Sequence, residues 1–276
     1  MKPTFNIQVD HATAGQLNLF LQIGEYHLAY TIIDNSSNCV AVAMYHLQKQ
    51  DSNEDTANLL KEIVAQQPLL KDGLCKIVLI FDYPQAVLVP EAYMQYEAKK
   101  NMLQLVFGEM EQMQIKTEFN AQKAMHVIYA IPKTIDTVLT YIFSADITTH
   151  QYALLPNIVQ QTNTYLYCVF NQSTVAILLV KNGSTQIMQT YNYKTPEDVA
   201  YYFLQTCTSF EIDINMLVVI INGMIDKDSV LYTELYKYFL HIQFAALPQG
   251  FIYPETLTNT YPQHYFSNLF ALAACV

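Results

Sequence analysis

The sequence contains no arginine, and all 14 of its basic residues are lysines. Arginine is the side chain that binds phosphate and carboxylate groups in bidentate fashion and reads guanine. Its absence argues against a nucleotide clamp, an arginine finger or base recognition. The 24 acidic residues give a net charge of −10, which repels a phosphate backbone at long range. We therefore expect no nucleic-acid partner.

Charged residues of both signs are scarce, at 14% of the chain against about 25% in typical globular domains. Apolar residues reach 52%, so few side chains remain to keep the surface hydrated. We therefore expect part of the apolar surface to contact a partner.

Segments that would send the chain to a membrane are also lacking. The first sixteen residues contain no apolar signal region, and no uncharged apolar run approaches 18 residues. The five cysteines are odd in number, far apart and without a Cys-x-x-Cys motif, which is typical of reduced residues in the cytoplasm. They are Cys39, Cys75, Cys168, Cys207 and Cys275. We expect a cytoplasmic protein without membrane insertion.

Catalytic and metal-binding motifs are missing as well. There is no Gly-x-Ser-x-Gly, no Walker loop and no Gly-x-Gly-x-x-Gly. The histidines show neither His-x-x-x-His nor His-x-His spacing. They are His11, His27, His46, His126, His150, His241 and His264. We expect no catalytic residue, no metal site and no cofactor.

The sequence contains the same order of predicted strands and helices twice. In the first half, three apolar strand-like runs at 17–23, 26–33 and 39–47 precede a helix that opens at Glu54-Asp55 and a buried strand at 75–81.

In the second half, runs at 165–170, 174–180 and 186–193 precede a helix that opens at Glu197-Asp198 and a buried strand at 216–222. The two Glu-Asp pairs are 143 residues apart and the two buried strands 141 apart. This predicts a duplicated α/β protein whose two halves superpose.

A region without a counterpart separates the halves. It runs from about 83 to 123, and a helical pattern over 91–107 places Tyr93, Tyr96 and Val106 near one face. We interpret it as an inserted subdomain within a first domain, 1–156, followed by a second domain, 157–276.

The remaining elements are assigned by pattern. A strand is predicted at 125–131, a helix from Pro132 to Phe143 and a strand at 147–155. The second half continues with a helix at 228–240 and a strand at 242–246. A final helix from Gln263 carries one apolar stripe, which predicts packing on the sheet.

Three short segments accompany this element order: Leu88-Val89-Pro90-Glu91, Tyr129-Ala130-Ile131-Pro132 and Ile220-Ile221-Asn222-Gly223. With them the chain resembles the actin-like ATPase fold, a duplicated ribonuclease H-like α/β architecture. More closely, it is similar to a family of uncharacterised bacterial proteins, a domain of unknown function, assigned to that fold. The resemblance implies two mixed-sheet subdomains with helices and an inserted subdomain.

The resemblance also implies where a nucleotide would bind. In that superfamily the first hairpin of each half is a phosphate loop, and an Asp at the end of each first strand handles Mg²⁺. Here Gln22 or Ile23 stands at the first Asp position, before Gly24, and Asn171 stands at the second. An amide supplies neither negative charge nor a base, so the ATPase motifs are degenerate.

The adenosine loop of the superfamily is reduced here to Asn222-Gly223. If a nucleotide binds, we expect contacts from Gly24, Asn171, Lys181 and Gly223. Otherwise these are ordinary turn and strand-end residues.

The same sheet order serves ribonuclease H-like nucleases, which hold two metals with clustered carboxylates. Asp34 and Asp82 could face the same edge of the sheet. Without arginine and with a negative net charge, a nucleic-acid substrate is hard to hold.

Three functional hypotheses remain. The leading one is a catalytically degenerate actin-like protein that acts as a protein-binding or scaffold module through Tyr93, Met94, Tyr96 and Met102, because aromatics and methionine are favoured at interface cores. The second is an ATP-binding ATPase or phosphotransferase with a remodelled site. The third is a homo-oligomeric actin-like assembly protein.

Overall fold

The computed structural model describes residues 2–9, 16–48, 50, 52–71, 73–158 and 163–276. His11, one of the histidines considered as ligands, lies outside these residues. The strands are β1 (Phe5–Gln8), β2 (Leu17–Gly24), β3 (His27–Asp34), β4 (Cys39–His46), β5 (Leu74–Asp82), β6 (Ala86–Pro90), β7 (Met113–Asn120), β8 (Met125–Pro132), β9 (Ile147–His150), β10 (Tyr165–Phe170), β11 (Thr174–Lys181), β12 (Ser184–Asn192), β13 (Val218–Gly223) and β14 (His241–Phe244).

The α-helices alternate with these strands. They are α1 (Asn53–Gln66), α2 (Lys99–Phe107), α3 (Lys133–Ile142), α4 (Gln151–Ile158), α5 (Pro196–Ser209), α6 (Val230–Tyr236), α7 (Glu255–Thr260) and α8 (His264–Ala274). Within the described ranges, none of them combines the length and the apolar composition needed to cross a membrane.

The chain forms two compact units. The first contains residues 1–154, 249–260 and 276, and the second contains 155–248 and 261–275. The segment 249–260 belongs to the first unit because it runs beside the β3–β4 turn, where Cys39 N donates to Ile252 O at 2.9 Å and Ile252 N to Ser37 O at 2.8 Å. The sequence pattern placed this segment in the second domain.

Each unit is built on one mixed sheet with the same internal order. The first sheet reads β1-β4-β3-β2-β5-β9 and the second β12-β11-β10-β13-β14. In both, three antiparallel strands are followed by two strands parallel to the first of them. The predicted duplicated α/β fold is therefore confirmed.

Both predicted helix starts are confirmed, and their caps explain them. The Ser52 side chain accepts a hydrogen bond from Asp55 N at the start of α1. Thr195 and Asp198 form a complete capping box at the start of α5, with Pro196 in the first turn. Acidic residues in these first turns also complement the positive end of the helix dipole.

The inserted region is a small sheet in its own right, ordered β6-β8-β7. Strand β8 pairs with both neighbours, so the insert extends to Pro132 and does not end at 123. The helix predicted over 91–107 is shorter, because the chain forms 3₁₀ turns at Glu91–Tyr93 and Tyr96–Ala98 before α2 begins. Leu103 of α2 is buried against Ile128 and Ala130 of β8.

Two further predictions need correction. The strand expected at 147–155 ends at His150, and residues from Gln151 onward are helical. The run Tyr152–Leu155 is apolar throughout, and such a run does not distinguish a buried strand from a buried helix. Strand β1 was not predicted at all, since four residues are too few to show a period.

The last helix packs on the second unit's sheet, as its apolar stripe predicts. Phe266, Leu269, Phe270 and Ala273 are all buried. Ser267 on the same helix donates to Asn222 Oδ1 of β13 at 2.7 Å. Helix α8 is therefore a structural element of this unit.

Candidate functional site

The first turn that the actin-like fold would offer to a phosphate is closed by a side chain. Strands β2 and β3 are joined by only two residues, Glu25 and Tyr26. A methyl group on Gly24 would lie 2.5 Å from His27 Cε1 and 2.9 Å from the Asp82 carbonyl oxygen. Gly24 is therefore required for internal packing, since the buried imidazole of His27 rests directly on it.

Behind this turn lies a buried polar cluster of Gln22, His27, Asp82 and Gln151. Parallel pairing places Gly24 opposite Asp82 and Phe81 opposite His150, so the carboxyl ends of β2, β5 and β9 meet at one edge of the sheet. In open α/β sheets this is the edge at which ligands bind.

The contacts within the cluster are internal. Gln22 Nε2 donates to Asp82 Oδ2 at 3.3 Å and to Gln151 Oε1 at 3.5 Å. His27 Nε2 lies 3.2 Å from Asp82 Oδ2, an ion-pair distance without hydrogen-bond geometry. The amide of Gln22, one of the two residues expected at the acid position, is thus directed at Asp82.

His150 next to this cluster is held in one tautomer. Its Nδ1 accepts from Tyr152 N at 3.2 Å, so Nε2 carries the proton and donates to the Tyr83 carbonyl at 3.0 Å. Burial lowers the pKa of His150 from 6.5 to about 4. The imidazole is therefore neutral at pH 7 and serves as a structural group.

A small cavity opens beside the cluster in the first unit. Its volume is about 200 Å³, and Glu25, Thr56, Tyr83 and Gln85 contribute to its lining. Pockets for small-molecule ligands usually enclose about 300 to 1,000 Å³. This cavity is smaller than a nucleotide requires.

In the second unit, Asn171 follows β10 in a three-residue turn and is engaged locally. Its backbone N–H donates to Thr174 O at 2.9 Å, and its carbonyl accepts from Tyr193 Oη at 2.9 Å. The side-chain amide lies 3.4 Å from Thr174 Oγ1. These are the contacts of a turn residue.

Gly223 at the end of β13 is fixed by a close approach of two backbones. Its φ is +83°, and a methyl group there would lie 2.1 Å from the Phe170 carbonyl oxygen. The preceding Asn222 is fully buried, where it accepts from Tyr167 Oη at 3.1 Å and donates to the Cys168 carbonyl at 3.2 Å. Both residues of the reduced adenosine loop are therefore used in packing.

Lys181 is not brought together with Asn171, the candidate that precedes the same strand. It lies at the opposite end of β11 from Asn171. The rise of seven residues of extended strand from Thr174 to Lys181 is roughly 23 Å. Its Nζ donates to the Phe210 carbonyl at 2.8 Å. Asn171 and Gly223, by contrast, both adjoin Phe170.

The carboxylate pair considered for a nuclease is also separated. Asp34 is opposite Leu17 and Asp82 is opposite Gly24, so they lie at opposite ends of β2. The expectation that they share an edge is wrong, because the hairpin returns Asp34 to the start of β2. Asp34 instead accepts from Ser36 N and Asn38 N, at 2.8 and 2.9 Å.

The four predicted partner residues divide into two pairs. Tyr93 and Tyr96 are 73% and 62% exposed. Met94 and Met102 are half-buried and pack against the core of the insert. The Tyr96 ring meets His126 edge-on at 5.4 Å, and Phe119 of β7 lies 4.6 Å from the same imidazole. Tyr93, Tyr96 and Phe119 form what we call the insert surface.

Sequence reasoning did not place His27 and Gln151 at the site. His27 begins β3 and Gln151 begins α4, so only the sheet order and the helix after β9 bring them to Gln22 and Asp82. A polar residue at the end of an apolar strand, as at Asp82, was the available signal.

Gly223→Ala should destabilise the protein more than Gly73→Ala. Both glycines have φ near +80°, but a methyl group at Gly73 meets nothing within 4 Å. We expect Gly73→Ala to lower the free energy of unfolding by about 1–2 kcal/mol from its left-handed conformation alone. We expect Gly223→Ala to lower it by about 1–3 kcal/mol more because of the clash. Urea denaturation measures both, and equal losses would contradict the assigned close approach.

His150→Gln should make the dependence of stability on pH shallower. The unfolded chain binds a proton at this histidine near pH 6.5 and the folded chain only near 4, so the free energy of unfolding falls as the pH is lowered through this window. Burial also lowers the pKa values of His46 and His264, so some slope remains. Denaturation between pH 6.5 and 5 measures it, with the exposed His241→Gln as control. An unchanged slope in His150→Gln would refute the assignment.

Solved structures similar to this chain share its fold. A Bacteroides thetaiotaomicron protein with actin-like ATPase fold and unknown function is 14% identical, over 98% of this chain and 100% of that chain, with a TM-score of 0.78. A chain of the PilM–PilN type IV pilus biogenesis complex is 12% identical, over 93% and 96% respectively, with a TM-score of 0.63.

The ethanolamine utilization protein EutJ from Carboxydothermus hydrogenoformans is 9% identical, over 94% of this chain and 90% of that one, with a TM-score of 0.53. The search of curated proteins found no match. The model of the family described as "Protein of unknown function (DUF3822)" matches residues 6–242. The chain therefore belongs to the DUF3822 family and has the actin-like ATPase fold.

Proposed function

We propose that the chain is a protein-binding module of the actin-like fold that does not turn over nucleotide. One observation carries the proposal: the backbone positions that would approach a nucleotide are occupied by the chain itself. His27 rests on Gly24 in the first unit, and the Phe170 backbone lies against Gly223 in the second.

Electrostatics supports the loss of turnover. Gln22 or Ile23 replaces one acid and Asn171 the other, and a preorganised electrostatic group is typically worth about 3 kcal/mol in a transition state. Two such losses remove about 6 kcal/mol, which lowers a rate by more than ~10⁴-fold. Gly24, Asn171 and Gly223 remain the positions through which any residual nucleotide contact would run, whereas Lys181 lies too far from Asn171 to join them.

The insert surface supports the protein-binding role. Tyr96 and the half-exposed Phe119 both contact the buried His126, and exposed Tyr93 lies three residues before Tyr96. Met94 and Met102 pack on the core of the same insert. Aromatic side chains offer large apolar area with few rotatable bonds and are frequent hot spots at interfaces. The related PilM–PilN structure is itself a complex of two proteins, and we propose a protein partner here too.

We place this activity in the bacterial cytoplasm. Burial raises the pKa of the Cys39 and Cys207 thiols to about 11, so both stay protonated and unreactive. Such cysteines suit a reducing compartment.

The test is partner capture with a matched control. Tagged wild type, the double variant Tyr93→Ser/Tyr96→Ser and the control Tyr141→Ser are expressed in the organism that encodes the chain, and co-purified proteins are quantified by mass spectrometry. Tyr141 is 88% exposed on α3, outside the insert surface. We expect a partner that the wild type and the control retain and that the double variant loses at least about tenfold, as for two hot-spot residues.

Because both tyrosines are exposed, the melting temperatures of all three proteins should agree, which separates lost binding from lost folding. Equal retention by the double variant would refute the insert surface as the binding site. Capture of nothing above an untagged background would refute the protein-binding role.

A further inference from the structure

The two sheets differ at one edge. In the first sheet the outer edge of β4 is covered by β1, which pairs antiparallel from Phe5 opposite Met44 to Gln8 opposite Ala41. Strand β12 holds the equivalent place in the second sheet. Among the residues that the structure describes, no strand pairs with the outer edge of β12. The first sheet therefore shows how this edge accepts one more antiparallel strand.

Strand β12 lacks three of the four usual protections of a free edge. It is nine residues long, and its sequence Ser-Thr-Gln-Ile-Met-Gln-Thr-Tyr-Asn contains neither a charged residue nor a proline. Edge strands are normally kept from pairing by charge, proline, bulges or shortness. One β-bulge interrupts its pairing with β11: Leu179 pairs with Ile187 and Val180 with Thr185, which leaves Gln186 as the extra residue. From Ile187 to Asn192 the pairing is regular.

The uncharged surface continues onto α5. Tyr202 of α5 stacks on Tyr191 of β12 with ring centroids 4.3 Å apart, and its hydroxyl donates to the Asn192 carbonyl at 3.1 Å. These contacts place α5 beside the strand. From Val199 to Ser209 the helix contains no charged residue, and Tyr201 is 61% exposed. Surfaces of small domains usually carry charges on about a quarter to a third of their residues.

We propose that this edge binds the β12 strand of a second copy of the chain. The two strands pair antiparallel about Met188, which joins two five-stranded sheets into one continuous sheet of ten strands. In this register Ile187 faces Gln189 of the second copy. Directly opposite residues lie on the same side of an antiparallel sheet, so Ile187 and Tyr191 of both copies stay on the side that carries the core.

The lack of charged side chains on this edge allows a second copy of the chain to bind there. Each molecule carries −10, so two copies repel unless they meet where carboxylates are absent. Strand β12 and the later turns of α5 provide such a surface, and the nearest charged residues along the chain, Lys181 and Lys194, lie beyond the two ends of the strand. At physiological salt, charges more than about 8 Å away are largely screened.

The test is solution mass with a charge placed at the centre of the edge. The chain has a mass of 31.6 kDa, and sedimentation equilibrium should give the wild type twice this value. In the proposed register the two copies of residue 189 are diagonal neighbours, roughly 7–8 Å apart on one face. Gln189→Lys therefore sets two like charges against each other and should weaken dimerisation at least about tenfold.

The matched control is Gln243→Lys, which adds the same charge to β14, an exposed position at the opposite edge of the same sheet. It should remain dimeric. Gln189→Glu, nearly the size of glutamine, repeats the test with the other sign if the lysine variant fails to fold.

A wild type that stays monomeric at high micromolar concentration would overturn the proposal, even if a foreign peptide binds the edge. Dimerisation unaffected by either charge at position 189 would overturn it as well, because the interface would then lie elsewhere.

Discussion

The close approach of parallel strands at their carboxyl ends is the constraint on which this molecule depends. In each unit, parallel pairing brings the carboxyl end of the first strand into contact with the strand that follows the first helix. Only glycine fits at that point: Gly24 beneath His27 and beside the Asp82 carbonyl, and Gly223 against Phe170. Close packing leaves no room for a side chain, and interiors packed to this density give way only at a cost in stability.

The same constraint accounts for the chemistry of the candidate site. The edge where strands of this fold end is a place for ligands, and in this chain it is filled with side chains that bind each other. Gln22 donates hydrogen bonds to Asp82 and Gln151. The side-chain amide of Asn222 accepts a hydrogen bond from Tyr167 and donates one to the Cys168 carbonyl. The hydrogen bonds of Gln22 and Asn222 hold these side chains in one packing arrangement. His27 Nε2 and Gln151 Nε2 make no hydrogen bond to the described residues.

Features that depend on residues close together in the sequence could be predicted, whereas features that depend on contacts between distant residues could not. Strands β2 and β10, the starts of α1 and α5 and the duplication follow from local patterns, because apolar runs and Glu-Asp pairs are short-range features. The extent of the insert does not, since β8 has the same apolar run whether it pairs with β5 or with β6 and β7. Alternation at Met113, Ile115 and Phe119 was the signal that could have revealed β7. The covering of Gly24 by His27 depends on side-chain position, which composition and spacing do not encode. The separation of Lys181 from Asn171, in contrast, follows from the predicted strand at 174–180 between them.

The central claim is that the chain's own groups close both nucleotide-facing turns. The most direct test is hydrogen exchange of the backbone amides of residues 24–27 and 222–224, with and without millimolar magnesium ATP. A bound nucleotide would accept hydrogen bonds from such amides or shield them from solvent, and would slow their exchange. The account predicts that exchange at both turns is unchanged by the nucleotide. Protection of both turns in its presence would contradict it.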